Sequence, residues 1–470
     1  MSASPQRAPA PGERSRVDRV IDDVRGRVAR GGLGAGARLP SIRRCAETLG
    51  VSASTVVEAY DRLAAAGEIA SRRGAGFYVA GARRPVTLAE RGPPVERDID
   101  PLWVMRRSLD TGPDVLKPGC GWLPDDWLPV DALRRALRAE ARGDTAALTG
   151  YGETLGFAPL REALARRLAE REIAAAPDQI LLTDSGTAAI DLLCRLFVRP
   201  GDAVLVDDPC YFNFINTLRA HGARVIGVPY TPSGPNLDAF AAAAAAHAPR
   251  LYLTTGALHN PTGASPTATT QHRLLGLVQA HDMTVIEDDI FADFDAEPTP
   301  RLAAFDGLER VIHIGSFSKM ASASLRCGFV AARQAWIEAL ADLKLATSIG
   351  ASDIGARVVH RLIADGAYRR QAEAVRTRLA RGRAQTRERL LCAGLTLWTE
   401  PRGGLFLWAR LPVGLSAVDV SRRAMREDVV LAPGDVFSVG QLAPDYLRFN
   451  VAQSPPRVFE VLRSAIAAAG

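Results

Sequence analysis

Lysine is nearly absent from this 470-residue chain: only Lys117, Lys319 and Lys344 occur among 58 basic residues, and the other 55 are arginines. Against that background a retained lysine points to amine chemistry that a guanidinium cannot replace. Cysteine is sparse and unpaired in sequence. Cys45, Cys120, Cys194, Cys210, Cys327 and Cys392 stand singly with no C-x-x-C spacing. They read as small buried hydrophobes in a reducing cytosol, which excludes a disulfide or zinc framework and leaves no metal site to expect. Long apolar runs are missing too. No stretch approaches the roughly 20 apolar residues that span a bilayer, and no short apolar run follows the N-terminal arginines. A membrane-spanning protein is excluded, and the expected location is the cytoplasm.

What is present suits a globular protein of two or three domains, because 47% of residues are hydrophobic and 23% charged. Global disorder is excluded on the same ground. The net charge of +6 is unevenly placed. Residues 1–83 hold 14 Arg and 8 Asp/Glu, a surplus equal to that of the whole chain, so residues 84–470 balance at zero. All the excess positive charge lies in the first sixth of the sequence.

Residues 1–15, rich in Ala, Pro, Ser and Arg, have no core-forming pattern and are expected to be a disordered tail. Val17, Val20, Ile21, Val24 and Val28 mark one stripe of a helix that should end at Gly31-Gly32. A short helix fits Ser41 to Leu49, with Ser41 as cap and Gly50 as stop. A third fits about Ser54 to Ala66. Glu68–Ser71 and Phe77–Val79, joined by Arg72-Arg73-Gly74-Ala75-Gly76, read as a hairpin. That is the layout of a winged helix-turn-helix over residues 16–80. Residues 81–115 carry five prolines and read as a linker with one short helix around Trp103–Leu109. From about residue 116 short apolar strands alternate with helices: Gln179–Thr183, Ala203–Val206, Arg224–Val228, Leu251–Thr254, Thr284–Glu287, Val311–Ile314 and Cys327–Val330. Such a pattern implies a mostly parallel sheet covered on both faces, a three-layer α/β/α arrangement. The last hundred residues, with a helix at Ala367–Leu391 and a strand at Gly404–Ala409, read as a smaller α+β subdomain.

Over residues 16–79 the sequence resembles the GntR family of bacterial repressors. The resemblance rests on Leu39-Pro40-Ser41-Ile42-Arg43, on Val51-Ser52-Ala53-Ser54-Thr55-Val56 and on Gly74-Ala75-Gly76-Phe77-Tyr78-Val79. Double-stranded DNA is the partner it implies. Ser52, Ser54 and Thr55 stand at a helix N-terminus, where N–H and hydroxyl groups can meet phosphates or base edges. Arg43 and Arg44 flank that helix, and Arg72 and Arg73 at the wing tip can reach an adjacent groove. The plain alternative is a solvated basic face. The family usually has Arg at the position of Ala53, so one expected contact is absent.

From residue 117 to 470 the chain resembles the fold-type I aminotransferases that bind pyridoxal 5′-phosphate (PLP). Ser316-Phe317-Ser318-Lys319 and Arg326 carry the resemblance most strongly. It implies that Lys319 forms a Schiff base with PLP while Ser316, Ser318 and Arg326 hold the phosphate. A primary amine suits imine chemistry, and hydroxyls with a guanidinium suit a phosphate dianion. Gly186, Thr187 and Ala188 open a helix after a strand, the place for further phosphate contacts. Tyr211 matches the ring that stacks on the pyridine, and Asn260, in His259-Asn260-Pro261-Thr262-Gly263, the donor to its phenolic oxygen. Asp288 matches the carboxylate that pairs with the pyridinium nitrogen. Arg448 matches the guanidinium that grips the substrate carboxylate, with a structural salt bridge as its plain alternative. Tyr151 matches a tyrosine that reaches the neighbouring subunit's phosphate, so a homodimer is implied. Two departures stand out: Ala188 replaces a glutamine, and Ile290-Phe291 lacks the tyrosine common two or three residues after the aspartate.

A GntR-like module fused to an aminotransferase-like domain is the layout of the MocR family of PLP-dependent transcription regulators. The resemblance implies a DNA-binding regulator that senses an amine or amino acid through aldimine exchange at Lys319. A working aminotransferase is the rival, and a degenerate domain kept for dimerisation the third reading.

Overall fold

The computed structural model describes residues 15–29, 33, 36–72, 76–80, 101–112, 114–143, 145–297, 299–350 and 353–469. The expected tail, the Gly31-Gly32 helix stop, Arg73 at the wing tip and residues 81–100 of the expected linker lie outside them. The chain divides into two units, Met1–Glu96 and Arg97–Gly470.

In the first unit α1 (Arg16–Ala29), α2 (Ile42–Leu49) and α3 (Ala53–Ala65) precede a hairpin of β1 (Ile69–Arg72) and β2 (Gly76–Val79). Capping sets the helix limits. Ser41 accepts a hydrogen bond from Arg44 N at 3.3 Å, and Ser52 accepts one from Thr55 N at 3.2 Å. Gly50 ends α2 in the left-handed region at φ 61°, where an L side chain would be strained. Val20, Val24, Leu39, Val56, Tyr60, Leu63, Ile69 and Val79 fill one small core. Tyr60 ties it together, its hydroxyl donating to Pro40 O at 3.1 Å and its ring meeting Phe77 edge-on at 5.1 Å.

The second unit begins with α4 (Pro101–Asp110), so the helix expected inside the linker belongs to the larger body. Its main sheet comprises β3 (Ile180–Thr183), β4 (Ala203–Asp208), β5 (Arg224–Thr231), β6 (Gly234–Pro235), β7 (Leu251–Thr255), β8 (Thr284–Asp288), β9 (Val311–Ser316) and β10 (Gly328–Ala331). Their order is β3-β10-β9-β8-β7-β4-β5-β6. Strands β5, β4, β7, β8 and β9 run parallel, while β10 is reversed between β9 and β3. Alternate residues feed two cores. Leu181, Val204, Leu253, Ile286, Ile312 and Val330 face helices Gly186–Phe197, Phe212–Ala220 and Gln334–Ser348. Leu182, Leu205, Tyr252, Val285, Val311 and Phe329 face Leu237–His247, Ala268–Ala280 and Asp353–Ala364. Burial on both faces is why these strands read as continuous apolar runs.

The C-terminal part holds an antiparallel sheet of β11 (Thr396–Leu397), β12 (Phe406–Arg410), β13 (Ala432–Pro433) and β14 (Tyr446–Asn450), ordered β11-β12-β14-β13. Among the described residues no helix is long and apolar enough to cross a membrane.

Candidate functional site

Chain segments at the carboxyl ends of the parallel strands converge on one cavity. Ligands of open α/β sheets lie at that end, where successive loops diverge. Tyr211 arrives from the loop after β4, Asn260 from the loop after β7 and Lys319 three residues after β9, while Asp288, the last residue of β8, does not itself line the cavity but acts on the Lys319 charge. Arg448 enters from β14 in the small sheet, so the cavity lies where the two sheets of the larger unit meet.

Burial depresses the Lys319 amine to about 8; Cys120 and Asp288 oppose the shift and Arg448 assists it. The same burial lifts the Asp288 carboxyl to about 7, although Ile290 N donates to its Oδ1 at 3.1 Å. Two groups that would ordinarily be charged are thus poised near neutrality in one site, a pattern typical of catalytic and binding centres. The Arg448 guanidinium lies between the rings of Phe406 and Phe437, 4.5 and 4.6 Å from their centroids. It donates to Asn260 Oδ1 at 2.7 Å and to Gly119 O at 2.5 Å, while its buried Nε has no hydrogen-bond partner among the described residues. Burial lowers its pKa to about 10, opposed by Cys120 and Tyr211. Asn260 is therefore oriented by Arg448. The backbone ahead of it is braced by Asp207, which accepts from Tyr252 and Thr254 and lies 3.4 Å from His259 Nε2.

A second corner is made of backbone. Ser185 caps helix Gly186–Phe197 by accepting from Ala188 N at 3.0 Å, so that N–H of the expected set is already engaged. The Gly186 and Thr187 N–H groups lie in the first turn, where no i−4 carbonyl exists. Ser316 Oγ lies 3.0 Å from Ser318 Oγ and 3.3 Å from Cys327 O. Arg326 stands two residues before Gly328, which pairs with both Ser316 and Thr183. Space here is tight: a Cβ on Gly186 would meet Ile290 Cγ2 at 3.2 Å, and one on Gly328 would meet the Ser185 carbonyl carbon at 2.8 Å. The Ser316 hydroxyl and the Gly186 helix start lie side by side and fit a phosphate, while the exposed Arg326 bonds Ala323 O of its own loop at 3.4 Å through Nη1. With a lysine amine, a buried carboxyl and an aromatic wall beside it, the donor set fits PLP.

Tyr211 does line the cavity, its ring against Phe212 and Phe214 at 4.9 and 5.5 Å, and burial raises its hydroxyl to about 12. Tyr151 does not. It is 81% exposed in the single chain, with its carbonyl against Gly350, next to the exposed Ile349. Phe291 is buried edge-on against Phe406 at 5.4 Å and brings no hydroxyl of its own. Sequence reasoning missed Met105, Ser108, Cys120, Trp122 and Phe212 as lining residues, and Phe406 and Phe437 as the jaws on Arg448. Only Gly119-Cys120-Gly121, a small-residue stretch suited to close approach, carried a local signal.

In the head Ser52 Oγ lies 2.9 Å from Ser54 Oγ and 2.7 Å from Thr55 Oγ1, so these hydroxyls form one cluster at the start of α3. Arg43 and Arg44 are exposed on α2 and form no ion pair with any described residue. Arg72 closes β1.

Residues 119–466 match the family Aminotransferase class I and II, and residues 16–79 match the gntR family of bacterial regulatory proteins. The chain is 32% identical to the 2-aminoadipate transaminase of Thermus thermophilus, over 69% of this chain and 81% of that one. It is 29% identical to the HTH-type transcriptional regulator YdcR of Escherichia coli, over 93% of this chain and 95% of that one. The probable rhizopine catabolism regulatory protein MocR of Rhizobium meliloti is 32% identical over 66% of this chain and 64% of its own. Among solved structures, LysN, the α-aminoadipate aminotransferase of T. thermophilus complexed with N-(5′-phosphopyridoxyl)-L-leucine, superimposes with a TM-score of 0.72. It is 27% identical, over 78% of this chain and 95% of that one. The chain belongs to the aminotransferase class I and II family, and within it has the MocR-type architecture of a GntR-like head joined to a PLP-binding fold.

Proposed function

We propose that this chain is a PLP-dependent, DNA-binding transcription regulator of the cytoplasm that senses an amine or amino acid in the Lys319 cavity. The observation that carries this reading is covalent continuity: one polypeptide bears both the winged head and the cavity where a depressed lysine amine faces a buried guanidinium. In this reading the head spans residues 16–80, the sensing fold takes up the rest from about residue 97, and the connecting segment carries the signal.

Ser316, Ser318, Arg326 and the Gly186 and Thr187 N–H groups would hold the phosphate. Asp288 would face the pyridine nitrogen, Asn260 the phenolic oxygen, and Tyr211 the ring. PLP, when bound, supplies an aldehyde that captures a primary amine and a ring that withdraws electrons. The remaining parts belong to the chain. At about 8, Lys319 keeps a substantial neutral fraction at physiological pH, which a nucleophilic amine requires. A cationic N–H beside Asp288 would hold its carboxyl in the ionised form that burial otherwise disfavours. Arg448, planar between two rings, can exchange its bond to Asn260 for the carboxylate of an incoming amino acid without losing its orientation. The exposed Tyr151 and Ile349 suit the face of a homodimer, which would bring that phenol to the partner's phosphate corner. Two heads in a dimer can then meet half-sites about one helical turn apart.

Phe291 favours sensing over turnover, because it offers no hydrogen bond where a transaminase commonly does. The discriminating experiment adds an amino acid and 2-oxoglutarate to the PLP-loaded chain. A change in the cofactor absorbance without keto-acid production supports the sensor; sustained turnover at tens per second supports the enzyme.

A further inference from the structure

The segment leaving the head enters the larger unit at α4, and α4 forms one wall of the Lys319 cavity through Met105 and Ser108. These positions are three apart and so share a face of the helix. Met105 is anchored against the cluster containing Phe212, Trp408 and Phe437. Ser108 is different. It is 2% exposed, yet its hydroxyl has no hydrogen-bond partner among the described residues. A helical serine or threonine usually satisfies its hydroxyl on the i−4 carbonyl, as Thr111 does on Arg107 O at 2.6 Å just past the end of α4. A buried hydroxyl denied that bond carries a desolvation cost that a bound molecule can remove.

The chemistry of the other walls narrows what that molecule presents. The carboxylate end is set by Arg448 and the amine end by Lys319, so the wall left for a ligand's side chain is the one that includes α4. Trp122 and Phe212 are apolar members of the same lining, and Phe212 belongs to the cluster that holds Met105. A charged side chain would be desolvated there without a counter-ion, whereas a neutral hydrogen-bonding group would find Ser108. We infer that Ser108 selects the effector's side chain, favouring a short amino acid with a neutral hydroxyl or amide over its apolar isostere. The inference rests on the sensor reading above. It also places the specificity contact on the helix where the head's connector arrives, so the bond that recognises the ligand is a bond to α4.

The test uses the full-length, PLP-loaded chain and three shape-matched ligand pairs: L-serine with L-2-aminobutyrate, L-threonine with L-valine, and L-asparagine with L-leucine. Affinities are read from the change in cofactor absorbance, and each pair is its own control for structural damage. In the wild type at least one polar member binds about tenfold tighter than its partner, a difference of about 1.4 kcal/mol. Ser108→Ala brings that ratio close to one, and Ser108→Thr restores it. If the absorbance responds but the ratios are the same in wild type and Ser108→Ala, the assignment of Ser108 is wrong and the sensor reading stands. If no amine or amino acid alters the absorbance, both fall.

Discussion

Replacing Arg448 with alanine separates recognition of an amino acid from recognition of an amine. The guanidinium is buried, flat between Phe406 and Phe437, and bonded to Asn260 and Gly119. Its loss has two consequences of different kind. Two acceptors lose a buried donor, at about 1–3 kcal/mol each, and this weakens the cavity for any ligand. The ligand carboxylate loses a charge-assisted contact of about 1.5–3 kcal/mol, and this affects only ligands that carry one. Comparing L-alanine with ethylamine cancels the first effect and leaves the second. Titrations followed by cofactor absorbance should show Arg448→Ala losing about tenfold to about 150-fold more affinity for alanine than for ethylamine. Equal losses for both ligands would reduce Arg448 to a structural brace and remove the proposed carboxylate site.

Four further outcomes follow from the same structure. Loading of the PLP-free chain with PLP should accelerate as pH rises through about 8, where Lys319 loses its proton, and level off above it; a rate still climbing at pH 10 would mean the amine is not depressed. Phe291→Tyr should raise transamination with 2-oxoglutarate at least about tenfold by restoring a hydroxyl near the cofactor, and unchanged keto-acid production would show that this departure does not limit turnover. Ser52→Ala removes the α3 cap and should destabilise the head by about 1 kcal/mol, read as a lower melting temperature of its transition. Arg43→Ala and Arg44→Ala should each lower the salt slope of DNA binding by about one if they meet phosphates, and an unchanged slope would leave them as a solvated face.

What the sequence disclosed and what it concealed divide along a physical line. Elements set by local periodicity and capping were legible: α2 between Ser41 and Gly50, and the buried strands β4, β7 and β9, whose apolar runs record cover on both faces. Lys319 was legible because lysine is scarce and its neighbours are hydroxyls. Contacts made only by tertiary packing were not. Nothing near Arg448 in sequence announces Phe406, 42 residues earlier, and it is the β12–β14 pairing that brings the two segments together. α4 stood in a proline-rich stretch that reads as linker, so the part played by Met105 and Ser108 in the cavity emerged only from the fold. The engagement of the Ala188 N–H by Ser185 was likewise invisible, because a helix start does not reveal which N–H its cap consumes.

The central claim is that one chain couples the Lys319 cavity to DNA. The most direct measurement is the affinity of the PLP-loaded, full-length chain for a duplex from its own promoter region, by fluorescence anisotropy, with and without a saturating amino acid that alters the cofactor absorbance. A coupling of about 1–3 kcal/mol predicts a change of about 5- to 150-fold in Kd, abolished in Lys319→Ala. An affinity unmoved by a ligand that visibly fills the cavity would contradict it.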